Sequence, residues 1–430
     1  MNKEFFSTHN FNDTYGEILH VLTNHPEHKT KNRKGETIYE LMNPTIILSH
    51  PENCYATIRN MSMPYLIGEL IFYLKGENKV KNIEKYSKFW KTISDDGVNL
   101  NSCYGYYIYK MKIPGQSFNQ LEYVVEQFKA NKESKKAVMT IYSGERHSYK
   151  TKDNPCTMYI QFNIRNDKLN MVVNMRSNDV WFGLPYDVPY FVFLQHQVLY
   201  KVQETYPEVK LGVYHHRPGS LHLYERNLMA VEEILIKPHS DINVPGLTEE
   251  TMKQLGHFIY WHDNMNSRKV TQRFIRDPFL LWAMDILKNV KWLDEAWKVS
   301  KKSKCLKKEV GGIYVKNDKV ISEGWSGRPS AMGACKTCVR KTETFYQDGC
   351  NSIHSEYRAM LRHCRKGKSI KDFKGSTVYL THGPCDQCMK LLVELGVKRC
   401  VFDVYYKTDF KKYAGFIEVF DKNGRELTAK

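Results

Sequence analysis

The sequence predicts an α/β (α+β) protein of two domains, one over residues 1–290 and one over residues 291–430. At 430 residues the chain is too long for one ordinary domain. The first part combines long apolar helical stretches with a β-hairpin, whereas short strands around helical segments begin near residue 290. We therefore place the boundary there, within a margin of many residues.

The elements of the first domain follow from apolar spacing and turn signals. The run MPYLIGELIFYL has the apolar density of a buried helix. Residues 117–131 carry apolar residues at helical spacing and start with Ser117 as a cap. Around the turn signal RNDK, the alternating runs MYIQFNI and LNMVVNM predict a β-hairpin within residues 155–182. Residues 188–206 predict a long apolar helix. Residues 248–300 also favour helix, with four tryptophans as packing anchors: Trp261, Trp282, Trp292 and Trp297.

The second domain is predicted to be an α/β sheet built on the strands GGIYVK, KVISEGW, TVYLTHG and RCVFDVYY. Hydrophobic residues make up 42% of the chain and charged residues 26%, which indicates a globular protein. No stretch approaches the roughly 18 apolar residues of a membrane span, and the first residues lack the apolar core of a signal peptide. We therefore expect a soluble cytoplasmic protein without a membrane partner. The 11 cysteines then indicate a nucleophile, metal ligands and buried thiols rather than disulfides.

The positive charge is concentrated in the second domain. Residues 292–430 hold 28 Lys and Arg against 16 Asp and Glu, whereas the first 291 residues hold 36 against 31. Such a balance favours a polyanion or a phosphorylated small molecule as partner. A basic surface that serves only solubility is the alternative, and charge alone does not decide between them.

The motifs HSE and PCDQC carry the sharpest chemical signal, because together they match the H-x-E and P-C-x-x-C pattern of zinc deaminases. His354, Cys385 and Cys388 would hold Zn²⁺ and leave the fourth tetrahedral position to a water whose pKa the metal lowers. Glu356 lies two residues after the histidine and can shuttle protons without being a ligand. A structural zinc site or a chance C-x-x-C is the alternative, which the two motifs together disfavour.

The segments around these motifs resemble deoxycytidylate deaminases over about 120 residues. The resemblance implies a cytidine-deaminase fold, in which a mixed sheet carries the helices that bear the zinc ligands. Two positions depart from the family pattern, since Ser355 replaces an alanine and Ser326 an asparagine near the nucleotide sugar. Cys335, Cys338 and Cys350 form a second cluster, for which a structural zinc site and reduced loop thiols both remain open.

In the first domain, PCTMYIQF precedes NMRSNDVWFGLPYD, and GSLHLY follows further on. Order and spacing resemble the thymidylate synthase family over roughly residues 15–235. That family also includes deoxycytidylate hydroxymethylases. The resemblance implies 5,10-methylenetetrahydrofolate as cofactor and a homodimer formed through this domain. Addition of a thiolate at C6 makes C5 of a pyrimidine nucleophilic, and Cys156 is the candidate nucleophile. Arg176 is expected to lower its pKa and to meet the substrate phosphate.

The resemblance assigns further roles by position. Glu69 matches a carboxylate that organises proton transfer through water, and Tyr104 matches a further catalytic position. Asp179 matches a contact to the pterin, and Trp90 is placed against the folate. The remaining substrate-binding positions, at the phosphate and at the sugar, are Arg33, Lys135, Lys136 and Ser177, then His222 and Tyr224. The two lysines stand where the family has an arginine pair that crosses the dimer interface, and lysine loses the bidentate geometry.

Asp187 indicates which base is bound. Thymidylate synthases carry asparagine at this position, where the amide matches O4 and N3–H of uracil. A carboxylate instead accepts from the N4 amino group of cytosine, and in protonated form it donates to N3. Thr157, next to the nucleophile, also follows the hydroxymethylases rather than the synthases. By itself, Asp187 would be an ordinary turn residue.

These motifs together predict a bifunctional enzyme that hydroxymethylates dCMP and deaminates dCMP or hydroxymethyl-dCMP. Its partners would be deoxypyrimidine monophosphates. The resemblance to phage enzymes implies that it would act in the cytoplasm of the host cell. One alternative is a thymidylate synthase fused to a deaminase that supplies dUMP. Another is a deaminase acting on bases in nucleic acid, with a non-catalytic first domain. Nucleic acid is not the expected partner, because the first domain keeps its nucleophile, Glu69 and phosphate arginine together.

Overall fold

A computed structural model describes most of the chain in two compact units. The units are Met1–Met284 and Asp285–Lys430. The described residues are 5–32, 34–144, 150–236, 242–265, 274–338 and 350–429. Among the helices of these ranges, none combines the length and apolar character needed to cross a membrane.

Two mixed sheets form the centre of the first unit. Its strands are β1 (Phe5–Thr8), β2 (His28–Lys31), β3 (Thr37–Met42), β4 (Thr45–Leu48), β5 (Val138–Thr140), β6 (Thr157–Arg165), β7 (Lys168–Met175), β8 (Asn178–Asp179), β9 (Lys210–Pro218) and β10 (Ser220–Tyr224). Six of them form one sheet in the order β1-β4-β9-β7-β6-β5, and four form another in the order β2-β3-β10-β8. Parallel and antiparallel pairs occur in both sheets, as in the predicted α+β class.

Helices surround these sheets. They are α1 (Phe11–Asn24), α2 (Met63–Leu74), α3 (Val80–Ile83), α4 (Phe89–Ile93), α5 (Gln120–Ala130), α6 (Leu184–Gln203), α7 (Leu228–Ile236), α8 (Glu249–Asn264) and α9 (Pro278–Ser300), the last of which continues into the second unit. A π-helical turn covers Tyr106–Lys110. The predicted apolar helix is α2, which Ser62 caps through its side chain and which has Pro64 in its first turn.

The predicted hairpin is confirmed and positions the first site. Strands β6 and β7 pair in antiparallel register up to Arg165 and Lys168. Asn166 and Asp167 form the two-residue turn with φ values of 50° and 55°, the left-handed conformation that matches the twist of the flanking strands. Because the turn fixes the register, the residues before β6 and after β7 lie side by side at the open end.

The start of α5 differs from the prediction. Asn119, not Ser117, is the N-cap: its side chain accepts the backbone N–H of Glu122, and the Glu122 side chain accepts the N–H of Asn119. This reciprocal pair satisfies two backbone donors at once, which a lone serine two residues earlier does not. The helical periodicity was therefore sufficient to find α5, while the cap depended on a side-chain pair.

Two further helical predictions need correction. Helix α6 begins at Leu184 rather than near residue 188, because Pro185 in its first turn needs no backbone N–H there. The described part of residues 248–300 holds two helices, α8 and α9, and residues 266–273 lie outside the description. Asp277 separates them: one carboxylate oxygen accepts from the N–H of Leu280 at 2.9 Å, and the other accepts from the Thr251 hydroxyl at 2.9 Å.

The second unit is a five-stranded mixed sheet with helices on both faces. Its elements are β11 (Gly311–Lys316), β12 (Lys319–Trp325), α10 (Ser355–Arg365), β13 (Thr377–His382), α11 (Asp386–Glu394), β14 (Arg399–Val404) and β15 (Glu418–Asp421). The strand order is β12-β11-β13-β14-β15, antiparallel up to β13 and parallel beyond it. The four predicted strands are confirmed. Strand β15 was missed, because its four residues carry too little pattern.

Consecutive residues of β11 serve opposite faces of this sheet. Tyr314 lies in the core that includes Leu392 of α11, whereas Ile313 lies in the core that includes Trp292 and Ala296 of α9. This alternation is the ordinary consequence of the strand period of two. The result is a three-layer unit in which the N-termini of α10 and α11 carry the H-x-E and C-x-x-C segments.

Candidate active sites

Cys156 and Arg176 meet at the open end of the β6–β7 hairpin. The backbone N–H of Arg176 donates to the carbonyl of Cys156 at 2.8 Å. Its guanidinium Nη2 lies 3.6 Å from the Cys156 Sγ, and the Ser177 Oγ lies 3.9 Å from that sulfur. The structure thus brings the predicted nucleophile and two predicted phosphate ligands together.

The guanidinium of Arg176 is fixed by its neighbours. It donates to the backbone carbonyls of Asn154 at 3.1 Å and Pro155 at 3.0 Å, and to the Ser177 hydroxyl at 3.1 Å. Arg176 lowers the pKa of the Cys156 thiol, as expected, but burial has the larger effect and leaves that pKa above its ordinary value. Burial therefore outweighs the predicted effect of Arg176, because desolvation of the thiolate exceeds the attraction of one cation.

Glu69 is a buried carboxyl held by tyrosines. It lies on α2 with 8% of its surface exposed, and the hydroxyls of Tyr65 and Tyr73 donate to its Oε1 at 2.6 and 3.4 Å. The indole N–H of Trp90 donates to the Tyr65 hydroxyl at 3.1 Å. Burial raises the pKa of Glu69 to about 8, and the nearby charge of Asp187 adds to that effect. Near neutral pH, most Glu69 therefore holds a proton.

Asp187 lies in the first turn of α6, where the side-chain amide of Asn178 donates to its Oδ2 at 2.7 Å. Burial raises the pKa of Asp187 to about 7, although the bond from Asn178 opposes the rise. Tyr104 stacks on Phe191 with ring centres 5.8 Å apart. Its pKa is raised first by burial and then by the charges of Asp187 and Cys156. The four predicted catalytic groups of this unit thus belong to one electrostatically coupled site.

The predicted sugar and pterin contacts lie on neighbouring strands. His222 on β10 pairs with Asp179 on β8 in a parallel ladder, and its ring meets Tyr224 edge to face at 5.3 Å. Asp179 accepts the backbone N–H groups of Trp181 and Phe182 at 2.7 and 3.2 Å, and Phe182 leaves 55% of its surface exposed. An acceptor carboxylate next to an exposed ring suits a flat heterocycle with N–H groups, such as a pterin.

None of the contacts described above involves the two predicted phosphate lysines. Lys135 and Lys136 are exposed on the loop between α5 and β5. Arg33 lies outside the described residues. Their roles, like that of Trp90 toward a folate, stay predictions.

The sequence reasoning missed the residues that support Asp187 and Glu69. Asn178 contacts Asp187, His216 contacts Asn178, and Tyr214 contacts His216. Tyr214 and His216 stand two apart on β9, so polar residues at inward positions of an apolar strand were the available signal. Tyr65 lies four residues before Glu69, a spacing that places both on one face of α2.

The second site is formed at two helix N-termini. His354 is the N-cap of α10, Cys385 is the N-cap of α11, and Cys388 lies in the first turn of α11. The His354 Nδ1 is 3.3 Å from the Cys388 Sγ and 3.5 Å from the Cys385 Sγ, and the three ligand atoms lie within 4.8 Å of one another. Tetrahedral zinc with bonds of about 2.0–2.3 Å places such atoms about 3.5 Å apart, so the set fits Zn²⁺.

Glu356 lies in the first turn of α10, two residues after His354, with 5% of its surface exposed. The Ser355 hydroxyl, fully buried, donates to its Oε2 at 2.9 Å. Gly324 on β12 allows this helix start to approach, because a Cβ there would lie 2.1 Å from the carbonyl oxygen of Ser355. Burial raises the pKa of Glu356 above its ordinary value. The serine that departs from the family pattern thus orients the predicted proton shuttle.

Within the described ranges, the only group of three metal-binding side chains at ligand spacing is His354, Cys385 and Cys388. Cys335 and Cys338 are partly buried and Cys350 is exposed. Residues 339–349 between them lie outside the described part. A second zinc there stays undecided.

Comparison with known proteins matches two family models to the chain, one largely within each unit. A family model described as thymidylate synthase matches residues 13–264, more than half of the chain. The chain belongs to the thymidylate synthase family. A second model, described as the cytidine and deoxycytidylate deaminase zinc-binding region, matches residues 287–404. The predicted fold class and the predicted zinc and folate cofactors are confirmed at the level of these families.

Phage proteins are among the relatives of this thymidylate synthase family member. The deoxyuridylate hydroxymethyltransferase of Bacillus phage SP01 is 29% identical over 202 residues, 44% of this chain and 51% of that protein. The thymidylate synthase of Vesicomyosocius okutanii is 24% identical over 179 residues, 41% of this chain and 65% of that protein. The deoxycytidylate deaminase of Mycobacterium phage D29 is 30% identical over 120 residues, 26% of this chain and 90% of that protein. The chain therefore matches about half the length of the first relative and nearly all of the deaminase.

Proposed function

We propose that the chain is a bifunctional pyrimidine deoxynucleotide enzyme. Its first unit would hydroxymethylate dCMP at C5 with methylenetetrahydrofolate, and its second unit would deaminate dCMP, or hydroxymethyl-dCMP, to the uridylate. The observation that carries the choice of cytosine is Asp187, a partly buried carboxyl where thymidylate synthases have asparagine. A homodimer through the first unit is part of the same proposal.

The thiolate of Cys156 adds to C6 of the base, which makes C5 nucleophilic. Methylenetetrahydrofolate would supply the one-carbon unit that C5 takes up. Loss of the C5 proton, with cleavage of the bond between the transferred carbon and the folate nitrogen and departure of tetrahydrofolate, would then leave an exocyclic methylene on the base. Addition of water to that methylene gives the hydroxymethyl group and expels the Cys156 thiolate. Glu69, whose pKa is raised to about 8, would donate and recover protons through water.

Base recognition follows from the protonation of Asp187. With a pKa raised to about 7, a large share of this carboxyl is neutral near neutral pH. The neutral form donates to N3 of cytosine through its O–H and accepts from the N4 amino group through its carbonyl oxygen. Tyr104 and Glu69, both buried, line the same site and exclude bulk water from the reacting base.

In the second unit, zinc held by His354, Cys385 and Cys388 would act as a Lewis acid that lowers the pKa of a water. Glu356 accepts the proton of that water and delivers it to N3 of the cytosine ring. Attack of the water oxygen at C4 and a second proton on the N4 group release ammonia and leave the uridylate. Ser355 holds the Glu356 carboxylate in place for both transfers.

A second candidate is hydroxymethylation of dUMP rather than dCMP. The name of the phage SP01 relative, a deoxyuridylate hydroxymethyltransferase, favours it. The two units would then act in sequence, since the deaminase would supply the dUMP. The synthase alternative is formation of dTMP from the same dUMP. The name of the relative from Vesicomyosocius okutanii, a thymidylate synthase, favours it.

The test uses the full chain with its deaminase silenced by Glu356→Gln, so that dCMP is not converted during the assay. The protein is incubated with methylenetetrahydrofolate and either dCMP or dUMP, and the products are identified by mass spectrometry. We expect dCMP to gain one CH₂O unit. A better reaction with dUMP would overturn the cytosine assignment, and a gain of CH₂ instead of CH₂O would indicate thymidylate synthesis.

A further inference from the structure

Three buried polar side chains form a chain of hydrogen bonds that ends on Asp187. Tyr214 and His216 are 0% exposed and Asn178 is 3% exposed. The Tyr214 hydroxyl lies 2.7 Å from the Nδ1 of His216, and the Nε2 of that ring lies 3.1 Å from the Asn178 Oδ1. The Asn178 Nδ2 lies 2.7 Å from the Asp187 Oδ2. Burying this many polar groups is costly unless each is paired.

The direction of each bond follows from the groups involved. An amide nitrogen only donates, so the Asp187 Oδ2 is an acceptor. The Asn178 Oδ1 must then receive a hydrogen from His216, which places the ring proton on Nε2. Burial lowers the pKa of His216 to about 3, so the ring is neutral and its Nδ1 is bare. Nδ1 therefore accepts the Tyr214 hydroxyl, and all three bonds point toward Asp187.

This direction matters because a neutral carboxyl by itself does not distinguish the two bases. With the proton on one oxygen it pairs with N3 and N4–H₂ of cytosine. With the proton on the other oxygen it pairs with N3–H and O4 of uracil. A donor aimed at Oδ2 opposes a proton on that oxygen and so leaves it for Oδ1.

We propose that Tyr214, His216 and Asn178 are positioning residues that fix which oxygen of Asp187 carries the proton and thereby set the preference for cytosine over uracil. The inference rests on the proposed chemistry of the first unit and deepens it. None of the three residues needs to touch the base. Their effect reaches it through Asp187 alone, so it concerns the choice between bases rather than the covalent steps.

Gly183 makes room for the hydrogen bond between Asn178 and Asp187. A Cβ at this position would lie 2.7 Å from the Asn178 Nδ2 and 3.3 Å from the Asp187 Oδ2. The first distance is too short for a real Cβ contact, and the second is tighter than most such contacts. The glycine therefore lets the start of α6 approach β8 closely enough for the amide to reach the carboxyl.

The experiment measures kcat/KM for dCMP and for dUMP in the Glu356→Gln background, with Asn178→Ala and Tyr214→Phe added one at a time. Loss of the amide donor should reduce the dCMP/dUMP ratio about tenfold. The nearly isosteric Tyr214→Phe should reduce it by less, since it frees the His216 tautomer without removing the Asn178 bond. Tyr109→Phe is the matched control, because its hydroxyl donates to Gln197 and not into this chain.

A pH series separates this role from a purely structural one. The Asn178 bond lowers the pKa of Asp187, so Asn178→Ala should move the decline of dCMP preference to higher pH. Equal losses on both nucleotides with an unchanged ratio would overturn the inference. If the unmodified site prefers dUMP, the cytosine assignment fails; the inference then stands only when both variants still change the ratio.

Discussion

The two sites hold their reactive groups in different ways. In the second unit, three ligands and one carboxylate come from two helix N-termini, and the ligand atoms lie within 4.8 Å of one another. In the first unit, the reactive groups come from four places: α2, the residues just before the π-helical turn, the open end of the β6–β7 hairpin, and the start of α6. Burial there raises the pKa values of Glu69 and Asp187 to about 8 and 7.

The difference shows two sources of reactivity in one chain. The deaminase site depends on local geometry, because zinc held by a few fixed ligands would lower the pKa of a water and so supply the nucleophile. The thymidylate-synthase-like site has to tune its own side chains, and it does so by desolvation and by neighbouring polar groups. Substitutions of the tuned carboxyls and their polar neighbours in the first site should therefore change selectivity and pH dependence, whereas loss of its nucleophile, or of the proton shuttle in the second site, should change rate.

The largest expected effect is the separation of the two activities by Cys156→Ser. Release of tritium from C5 of the nucleotide should stop, because exchange requires the adduct at C6. Nucleotide binding and ammonia release should persist. Cys364→Ser, at an exposed position of α10, is the matched control. Continued tritium release in the serine variant would remove the covalent mechanism from the first unit.

Glu356→Gln is the corresponding change in the second unit. Ammonia release should fall on the order of a hundredfold to ten-thousandfold, the usual contribution of a proton shuttle, while the zinc content stays unchanged. Metal analysis and an ammonia assay on the same sample check both statements. Glu394→Gln, at the exposed end of α11, should leave both values as they are. Normal turnover of Glu356→Gln would contradict the role of Glu356.

Glu69→Gln tests how much the buried carboxyl lowers the free energy of unfolding. Between pH 4.5 and 8 the folded chain keeps a proton on Glu69 that the unfolded chain has released, so the free energy of unfolding falls as pH rises. The variant lacks this dependence and should gain on the order of 3–5 kcal/mol relative to wild type across that window. Urea denaturation at pH 5 and pH 8 measures the difference.

Exposed Glu232→Gln on α7 is the control for that measurement, and it should follow wild type at both pH values. If Glu69→Gln and wild type show the same change between pH 5 and pH 8, Glu69 does not keep its proton in the folded chain.

Asp187→Asn tests whether this residue sets the preference of the first site for dCMP over dUMP. The amide can pair with O4 and N3–H of uracil, so the variant should shift from dCMP toward dUMP by about tenfold to a hundredfold. The ratio of kcat/KM values with a silent deaminase is the measurement, and Asp13→Asn on the surface of α1 is the control. An unchanged ratio would mean that Asp187 does not read the base.

The smallest effect is expected for Ser355→Ala, which restores the residue usual in the deaminase family. Glu356 would lose one hydrogen bond and should remain in place through its burial, so the rate of deamination should fall only severalfold. Ser330→Ala, exposed elsewhere in the unit, is the control. A loss as large as that of Glu356→Gln would show that the hydroxyl takes part in catalysis itself.

Local patterns predicted the elements whose signals lie within a few residues. The hairpin was predictable because a two-residue turn and strand alternation both occur between residues 155 and 182. The start of α5 was not, since a capping pair three residues apart outweighed the more obvious Ser117. The second helix of 248–300 depends on Asp277, whose partner Thr251 lies on another helix.

The same reasoning applies to the sites. His354, Cys385 and Cys388 were found by spacing, because each motif places its own ligands. Asn178 was passed over although it stands between two assigned residues, since its partner Asp187 becomes a neighbour only when α6 closes on β8. The raised pKa of Cys156 was missed for a related reason, because desolvation depends on the residues that the fold packs around the thiol.

Helix α9 has a practical consequence for dissecting the protein. The boundary between the units, after Met284, falls inside this continuous helix and not in a linker. Asp285 forms a bidentate pair with Arg399 of β14 at 2.8 and 2.7 Å, and Trp292 and Ala296 pack on the sheet of the second unit. On the other side of the boundary, Phe279 packs against Phe193 of α6.

A deaminase expressed without residues before 290 would lose the Asp285 anchor, and a first unit truncated there would end in a frayed helix. Separate expression of either unit should therefore retain the whole of Pro278–Ser300. The apolar residues of this helix that pack on the omitted unit should then be replaced by polar ones.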